Sequence, residues 1–213
     1  MNRDKNVSMS VIRRLPRYYR FLGDLRKKGI KRISSNELSA KMKLTSSQIR
    51  QDFNCFGEFG QQGYGYIVEQ LHEEIGNILG ITNQYRVILI GAGNLGKAIA
   101  THMTFESTGF RLIGIFDQNP NIIGNNIRNI EIFNLLDIDQ FCKANKPDVA
   151  ILCIPREATA QITEKLVNLG INCFWNFSHY DLTLDFPDVI VENVHLGDSL
   201  MTLGYRINEK LNK

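Results

Sequence analysis

The chain has 213 residues, of which 43% are hydrophobic and 22% charged, and its formal net charge is +3. This composition fits two small globular domains or one large one, and it leaves room for a hydrophobic core. No apolar run is long enough to span a bilayer, and the first residues do not resemble a signal peptide. The four scattered cysteines form no C-x-x-C pair, which predicts reduced thiols in the cytoplasm and no metal site.

The positive charge is concentrated in the front part of the chain. Residues 1–80 contain 14 Lys and Arg against 8 Asp and Glu, whereas the remaining residues carry a net charge of −3. A basic segment of this kind favours a polyanionic partner, because each neutralised phosphate releases condensed counterions. A solvated basic surface without a partner is the alternative that charge alone leaves open.

Two short capped helices are predicted after a longer first helix. Apolar residues recur at helical spacing from Leu15 to Leu25, and Gly29 follows as a stop. Residues 34–37 have capping-box spacing and open a helix that carries Leu38 and Met42. Residues 45–48 repeat this spacing and open a third helix. Two capped helices joined by a short turn predict a helix-turn-helix, although a plain three-helix bundle is the alternative.

The second helix of that pair is the expected recognition helix. A glycine- and aromatic-rich segment follows it, from Phe56 to Tyr66, and predicts the hairpin wing of a winged helix. A further helix, from Val68 to Leu79, ends at Gly80. Polar and basic side chains of these elements are the candidates for contacts with DNA bases and phosphates. They are Arg13, Arg14, Arg17, Ser46, Ser47, Gln48, Arg50, Gln51 and, at the wing, Gln61 and Gln62.

The back part of the chain contains a dinucleotide-binding pattern. An apolar strand, Val87 to Ile90, precedes a G-x-G-x-x-G motif at residues 91–96, and a helix is predicted from Lys97 to Phe105. A second strand ends at Asp117, whose carboxylate is suited to the adenosine ribose hydroxyls and would repel a 2′-phosphate. The pattern therefore favours NAD over NADP, while a glycine-rich turn without a ligand is the alternative.

Each glycine of the motif has a predicted duty. Gly91 makes the turn, Gly93 lets the pyrophosphate approach the backbone, and Gly96 lets the helix pack on the strand. Leu95 is expected to contribute to the apolar face of that helix. Strands at residues 148–154 and 172–177 complete a doubly wound sheet, and the ends of these strands are candidates for the nicotinamide end of the ligand. The predicted cofactor contacts are Gly91, Ala92, Gly93, Asn94, Leu95, Gly96, Asp117, Ile154, Pro155 and Asn176.

Three domains are expected: a winged-helix domain over 1–80, a Rossmann-like domain over 81–195 and a C-terminal helix over 196–213. Ile81 to Tyr85 is the predicted link between the first two. An apolar stripe from Leu196 to Ile207 fits one helix face, which packs either on its own domain or on a partner chain.

No active site is predicted. Too few residues follow Asp117 to form a substrate domain, and His102, His179 and His195 have no evident nucleophile beside them in the sequence. The chain is therefore interpreted as a sensor and not as an enzyme. A small NAD-dependent dehydrogenase and a coenzyme A-binding domain remain alternatives.

The two parts together resemble the Rex family of redox-sensing transcriptional repressors over essentially the whole chain. The resemblance implies a homodimer with exchanged C-terminal helices that binds an inverted-repeat operator in double-stranded DNA when NADH is scarce and leaves it when NADH is abundant. Genes of fermentation and anaerobic respiration are the implied targets. The segments that carry it are residues 12–19, 46–53, 59–66, 91–96, 154–158, 175–177 and 191–194.

The chain departs from the family pattern at two places. Many relatives carry basic residues at the wing tip, where this chain has Gln61 and Gln62, so weaker or different minor-groove contacts are expected. Many relatives also have Tyr at the position of His102 and an acidic residue at that of His195. The family links these positions to sensing of the nicotinamide state, and two histidines there would add a dependence on pH.

Overall fold

The computed structural model describes residues 7–57, 59 and 65–212. The chain divides into two compact units, with the boundary between Thr82 and Asn83. The helices are α1 (Met9–Ile12), α2 (Leu15–Lys27), α3 (Ser35–Met42), α4 (Ser46–Asn54), α5 (Val68–Leu79), α6 (Asn94–His102), α7 (Ile138–Asn145), α8 (Arg156–Asn168), α9 (Leu182–Asp185) and α10 (Leu196–Leu211). The strands are β1 (Arg32–Ile33), β2 (Tyr66–Ile67), β3 (Tyr85–Ile90), β4 (Phe110–Asp117), β5 (Asn126–Ile127), β6 (Ile130–Asn134), β7 (Val149–Leu152), β8 (Cys173–Asn176) and β9 (Ile190–Asn193).

The first unit is built on α2, whose apolar stripe is buried as its spacing predicts. Leu15, Tyr18 and Leu22 have no exposed surface, and proline occupies the first turn, where a missing N–H costs little. Gly29 follows the helix with φ of +72°, a conformation that favours glycine. The predicted first helix is confirmed.

Both predicted caps of the helix-turn-helix are present. The Ser34 hydroxyl accepts from the Glu37 N–H at 3.1 Å, and the Glu37 carboxylate accepts from the Ser34 N–H at 2.8 Å. At α4 the Thr45 hydroxyl accepts from the Gln48 N–H at 3.1 Å. The apolar sides of the two helices, with Leu38 and Ile49 fully buried, join the core formed with α2 and α5.

A two-stranded antiparallel sheet lies beside the helices. Arg32 of β1 pairs with Ile67 of β2, and Ile33 pairs with Tyr66. Gly65 has φ of +70°, and a Cβ atom there would lie 2.7 Å from the Ile33 carbonyl oxygen, so this position requires glycine. Residue 58 and residues 60–64, and with them Gln61, Gln62 and most of the predicted hairpin, lie outside the described residues.

The second unit is a seven-stranded sheet in the order β5-β6-β4-β3-β7-β8-β9. All neighbouring strands are parallel except β5 and β6. Along β3, Ile88 and Ile90 belong to one core cluster, whereas Val87 and Leu89 belong to another. The central strand is thus buried on both faces, as the uninterrupted apolar run predicts for a doubly wound sheet.

Three local expectations in this unit are wrong. Tyr85 belongs to β3 and not to the link before it. The helix after the G-x-G-x-x-G motif, called the fingerprint below, spans Asn94–His102 and not Lys97–Phe105. Gly93 already caps this helix, and the extended backbone of Met103 ends it. The buried side of this helix consists of Gly96 and Ala100, while Leu95 is 39% exposed.

The C-terminal helix α10 has no buried residue. Its apolar side chains are all exposed in the single chain, with exposed fractions from 49% at Ile207 to 77% at Leu211. A stripe of this kind is typical of a helix that is covered by another surface.

Candidate nucleic-acid and dinucleotide sites

The outward side of α4 is polar and accessible. Ser47, Arg50 and Gln51 are exposed, and the Arg50 Nη1 donates to the Ser35 hydroxyl at 3.3 Å. Ser46 is partly buried, and its hydroxyl donates to the Asn36 Oδ1 at 2.6 Å. The structure therefore brings these predicted DNA contacts together on α4, where Ser46 and Arg50 contact the first turn of α3.

A buried carboxylate anchors the inward side of the same helix. Asp52 accepts hydrogen bonds from the Arg14 Nε and Nη2, each at 2.7 Å, and from the Tyr18 hydroxyl at 2.7 Å. The Gln48 Nε2 donates to it as well, at 2.9 Å. Burial alone would raise the pKa of Asp52, but these donors outweigh it and hold the pKa below its usual value.

This network includes one of the predicted phosphate contacts, Arg14. The Arg14 guanidinium forms a bidentate ion pair inside the unit, and its side chain is 25% exposed, so it has a structural role and its phosphate contact stays a prediction. Arg17 is exposed but donates from Nη2 to the Met42 carbonyl at 2.6 Å, at the end of α3. Arg13 is exposed at the end of α1. The phosphate contacts of Arg13 and Arg17 stay predictions.

The fingerprint forms a tight turn between β3 and α6. Gly91 has φ of +94°, and a Cβ atom there would lie 2.5 Å from the Cys153 carbonyl oxygen and 2.9 Å from the Ile154 Cγ2. A Cβ atom on Gly96 would clash with the Gly91 carbonyl oxygen, whereas nothing lies within 4 Å of the corresponding position on Gly93. Two glycines therefore make the turn possible and the third leaves it open on the outside, as their predicted duties require.

Asp117 lies against this turn from the neighbouring strand. Its Oδ2 accepts from the Ala92 N–H at 2.6 Å, and its Oδ1 accepts from the Asn119 N–H at 2.8 Å. The Gly91 N–H donates to the Phe116 carbonyl at 2.8 Å, which joins the turn to the end of β4. The carboxylate is partly exposed, and it stands beside the first N–H groups of α6, which have no acceptor within the helix.

The end of β7 lies at the same turn. Asn176, at the end of β8, is buried. Ile154 is half-buried and Pro155 is exposed. Asn176 is fully buried; its Nδ2 donates to the Tyr180 carbonyl and the Asn193 Oδ1, both at 2.8 Å. Its Oδ1 accepts from the backbone and hydroxyl of Ser178. The predicted direct ligand contact of Asn176 is therefore replaced by a role in holding the loop after β8.

Sequence patterns missed Cys153 and Asn193, because their contributions are a backbone oxygen and a hydrogen bond across strands. The Cys153 carbonyl shapes the Gly91 turn, and burial raises the pKa of its thiol to about 12. Asn193 lies in the segment 191–194 that carries the family resemblance, but no local pattern assigns a contact to either residue, since neither the turn nor the strand pairing that uses them is local in sequence.

Two of the histidines meet before α10. The rings of His179 and His195 have centroids 5.3 Å apart, and the His195 Nδ1 lies 3.4 Å from the Asp198 carboxylate. His102 is exposed at the last residue of α6. Within the described ranges, no three His, Cys, Asp or Glu residues are grouped to hold a metal ion.

The two units define a class of protein: a helix-turn-helix DNA-binding protein that carries a dinucleotide-binding domain. Family models match both units, a "putative DNA-binding protein N-terminus" over residues 6–54 and a "CoA binding domain" over residues 82–180. No helix among the described residues has the length and apolar character needed to cross a bilayer.

Full-length relatives specify the family. The redox-sensing transcriptional repressor Rex of Thermoanaerobacter pseudethanolicus is 53% identical over 99% of this chain and 93% of its own length. That of Clostridium tetani is 49% identical over 99% of both chains. This chain belongs to the Rex family of redox-sensing transcriptional repressors, so the resemblance is confirmed, as is the expectation of a regulator and not an enzyme.

Solved structures of a Rex-family repressor named RSP have the same fold. One, in complex with beta-NAD+ and operator DNA, is 53% identical, covers 97% of this chain and 95% of its own, and has a TM-score of 0.90. Another, in complex with beta-NADH, is 50% identical, covers 97% of both chains and has a TM-score of 0.87. The predicted fold class of a winged helix-turn-helix followed by a Rossmann-like sheet is confirmed.

Proposed function

We propose that this chain represses transcription in the cytoplasm by binding an inverted-repeat operator, and that NADH releases it. One observation carries this proposal: a Rex-family chain combines an accessible α4 with an open Gly93 turn beside Asp117. The first feature suits a major groove, and the second suits a pyrophosphate with its adenosine ribose. The solved relative RSP binds beta-NAD+, operator DNA and beta-NADH.

DNA recognition is assigned to the exposed side of the helix-turn-helix. Ser47, Arg50 and Gln51 contact bases or phosphates, and Arg13 and Arg17 contact phosphates. The exposure of these five side chains supports this assignment, and the net positive charge of the front part supplies long-range attraction.

The ligand is assigned as NAD(H) because β4 ends in Asp117, and a carboxylate at the end of the second strand is the group that holds the adenosine ribose in this fold. The Asp117 carboxylate accepts hydrogen bonds from the ribose hydroxyls and repels the extra phosphate of NADPH. It disfavours the phosphorylated ribose of coenzyme A for the same reason. Coenzyme A is a candidate only because a model of CoA-binding domains matches residues 82–180. The dehydrogenase alternative is disfavoured because the full-length relatives are named transcriptional repressors.

The redox state is distinguished at the nicotinamide, since the two ligands are identical elsewhere. The oxidised ring is a planar cation and the reduced ring is neutral. Half-buried Ile154, with Pro155 and Leu196 of a second copy, favours the neutral ring, because burying an unpaired cation is costly. A homodimer covers the exposed stripe of α10, and ligand-dependent closure changes the spacing of the two recognition helices.

The coupling is thermodynamic. NADH releases the operator only if it binds the DNA-incompetent arrangement more tightly, and a hundredfold loss of operator affinity requires a preference of about 2.7 kcal/mol. Fluorescence anisotropy of a labelled operator, titrated with NADH, NAD+ and coenzyme A at several pH values, tests the proposal. Release by NADH at far lower concentration than by the other two is expected. Equal release by NADH and NAD+, or release by neither, contradicts it.

A further inference from the structure

The orientation of the Gln48 amide is fixed before any DNA is bound. Its Nε2 lies 2.9 Å from the Asp52 Oδ1. An ionised carboxylate only accepts hydrogen bonds, so the group that faces it is the NH2 and not the carbonyl of the amide. Because the bidentate ion pair with Arg14 keeps Asp52 ionised, the alternative orientation would set two acceptors against each other.

One N–H of Gln48 and its carbonyl oxygen remain for another partner. Among the described residues, the Gln48 Oε1 has no hydrogen-bond partner, and the side chain is partly exposed. Gln48 lies in the first turn of α4, immediately after the Thr45 cap and Ser46. Side chains in the first turn of a recognition helix are those that reach base edges in the major groove.

The remaining donor and acceptor match one base. Adenine presents N7 as an acceptor beside the N6 amino donor, and a glutamine amide pairs with both at once. Guanine presents two acceptors, N7 and O6, and would leave the Gln48 carbonyl facing an acceptor. Phosphates present acceptors only, so they would use the N–H alone.

We propose that Gln48 reads an adenine in each half-site of the operator, and that Asp52 is the positioning residue that fixes the amide for this contact. The inference rests on the proposed DNA-binding function and adds a base identity to it. Asp52 touches no DNA in this arrangement. It acts by holding the Gln48 rotamer in advance, which reduces the conformational freedom that is lost on binding.

Selection from a pool of random double-stranded oligonucleotides tests the base assignment without knowledge of the operator. The full-length protein is expected to select inverted repeats with adenine fixed at one position in each half-site. Gln48→Ala is expected to select the same repeats with any base at that position. An adenine that stays fixed with Gln48→Ala, or no fixed adenine with the unmodified chain, overturns the proposal.

A modified base then measures the contact. Replacing that adenine by 7-deazaadenine, which lacks N7, should lower the affinity of the unmodified protein by about 5-fold to 150-fold. The same substitution should leave the affinity of Gln48→Ala unchanged. A second adenine of the half-site, whose selection does not depend on Gln48, provides the matched position in the DNA. Equal losses for both proteins at the tested position overturn the proposal.

The role of Asp52 needs a variant that separates positioning from stability. Asp52→Leu, with a side chain of similar size, removes the acceptor of Gln48, and it should lose the preference for adenine. Tyr18→Phe removes the donor to the other oxygen, Oδ2, and it should keep the preference although it also weakens the network. Retained preference in Asp52→Leu contradicts the positioning role.

Gln48→Glu keeps the proposal testable if Asp52→Leu does not fold, because residue 48 is partly exposed and tolerates a substitution. A carboxylate accepts only and faces Asp52, so adenine preference should be lost; its retention contradicts the proposal. If Gln48→Ala weakens binding equally for all sequences, only this inference fails. If the unmodified protein selects no inverted repeat, the proposed function fails with it.

Discussion

The two units present their ligands with different parts of the chain. In the second unit the proposed ligand site is backbone, at a turn whose shape depends on Gly91 and Gly96 having no side chain. In the first unit the proposed site consists of long polar side chains, and others of this kind, such as Arg14 and Gln48, also form hydrogen bonds within the unit. A backbone site requires glycines, which have no side chain, at particular positions. A side-chain site depends instead on which of several similar polar residues point outward.

The largest effect on stability is expected at Asp52, which joins the proposed DNA-binding helix α4 to the core of the first unit. Asp52→Ala leaves the Arg14 guanidinium without its carboxylate, and breaking such a buried pair typically costs about 3–5 kcal/mol. Amide hydrogen exchange in α2 and α4 of the full-length protein measures this loss locally. Arg50→Ala, on the exposed side of α4, is the matched control: it should change stability by less than about 0.5 kcal/mol while weakening operator binding.

The same network predicts acid sensitivity of the first unit. The pKa of Asp52 is lower in the folded state, so its contribution to stability is complete above the unfolded value of about 3.9 and is lost as pH falls from that value through the lower folded pKa. The hydrogen-exchange protection factors of α4, which are corrected for the slowing of intrinsic exchange in acid, should fall in this range, and Asp52→Ala should lack that component. An unchanged pH profile in the variant would show that Asp52 does not control acid stability.

The glycines of the fingerprint test how strongly the backbone site depends on the absence of side chains. Gly96→Ala places a methyl group against the Gly91 carbonyl, and overpacking against backbone is expected to cost about 3 kcal/mol. Denaturation followed by the fluorescence of Trp175, the single tryptophan of the chain and a residue of β8, reports this loss.

Gly93→Ala is the matched control for that variant. Gly93 has φ of −64° and no atom within 4 Å of its Cβ position, so alanine should leave stability unchanged. Calorimetry should nevertheless find weaker NADH binding, because the pyrophosphate approaches this backbone. Unchanged NADH affinity would place the pyrophosphate elsewhere.

A smaller effect, on NADH affinity, is expected at Asp117, whose side chain lies against the backbone turn. Asp117→Ala removes the carboxylate proposed to accept hydrogen bonds from the ribose hydroxyls, and the loss of NADH binding energy should be roughly 1.5–3 kcal/mol. Discrimination against NADPH should fall at the same time, because the repelling carboxylate is gone. Calorimetry with both nucleotides measures the two effects. Wild-type affinities for both would mean that the carboxylate does not meet the ribose.

The smallest effect concerns His72, which packs between α2 and α5. Burial first, and then the charge of Arg26, lower the pKa of His72, and the Arg26 Nη1 lies 3.1 Å from its Nδ1. Its contribution to stability is therefore complete above the unfolded value of about 6.5 and declines as pH falls below it. Hydrogen exchange in α2 should show this decline between neutral pH and the range of Asp52. His72→Phe, which keeps an aromatic ring stacked on Tyr19, should remove it.

Sequence patterns predicted local features well, because helix caps and phosphate turns are short motifs with their own chemistry. The Ser34 box, the Thr45 cap and the Gly91 turn are examples. The strands β5 and β9, at the two edges of the sheet, were not predicted, since such short strands depend on tertiary pairing. The strand β6 and the helix α7 were not predicted either. The burial of Asn176 and the internal role of Arg14 depend on partners 17 and 38 residues away, so no local pattern reveals them.

If a second copy covers the exposed stripe of α10, repression depends on the amount of protein in the cell. A helix of 16 residues is about 24 Å long and is marginal in water without a surface to cover it. If a second copy covers it, ordering of this helix and assembly follow the same mass-action equilibrium. Dilution would then remove dimers and fray the helix together, so operator occupancy would fall more steeply than the number of chains.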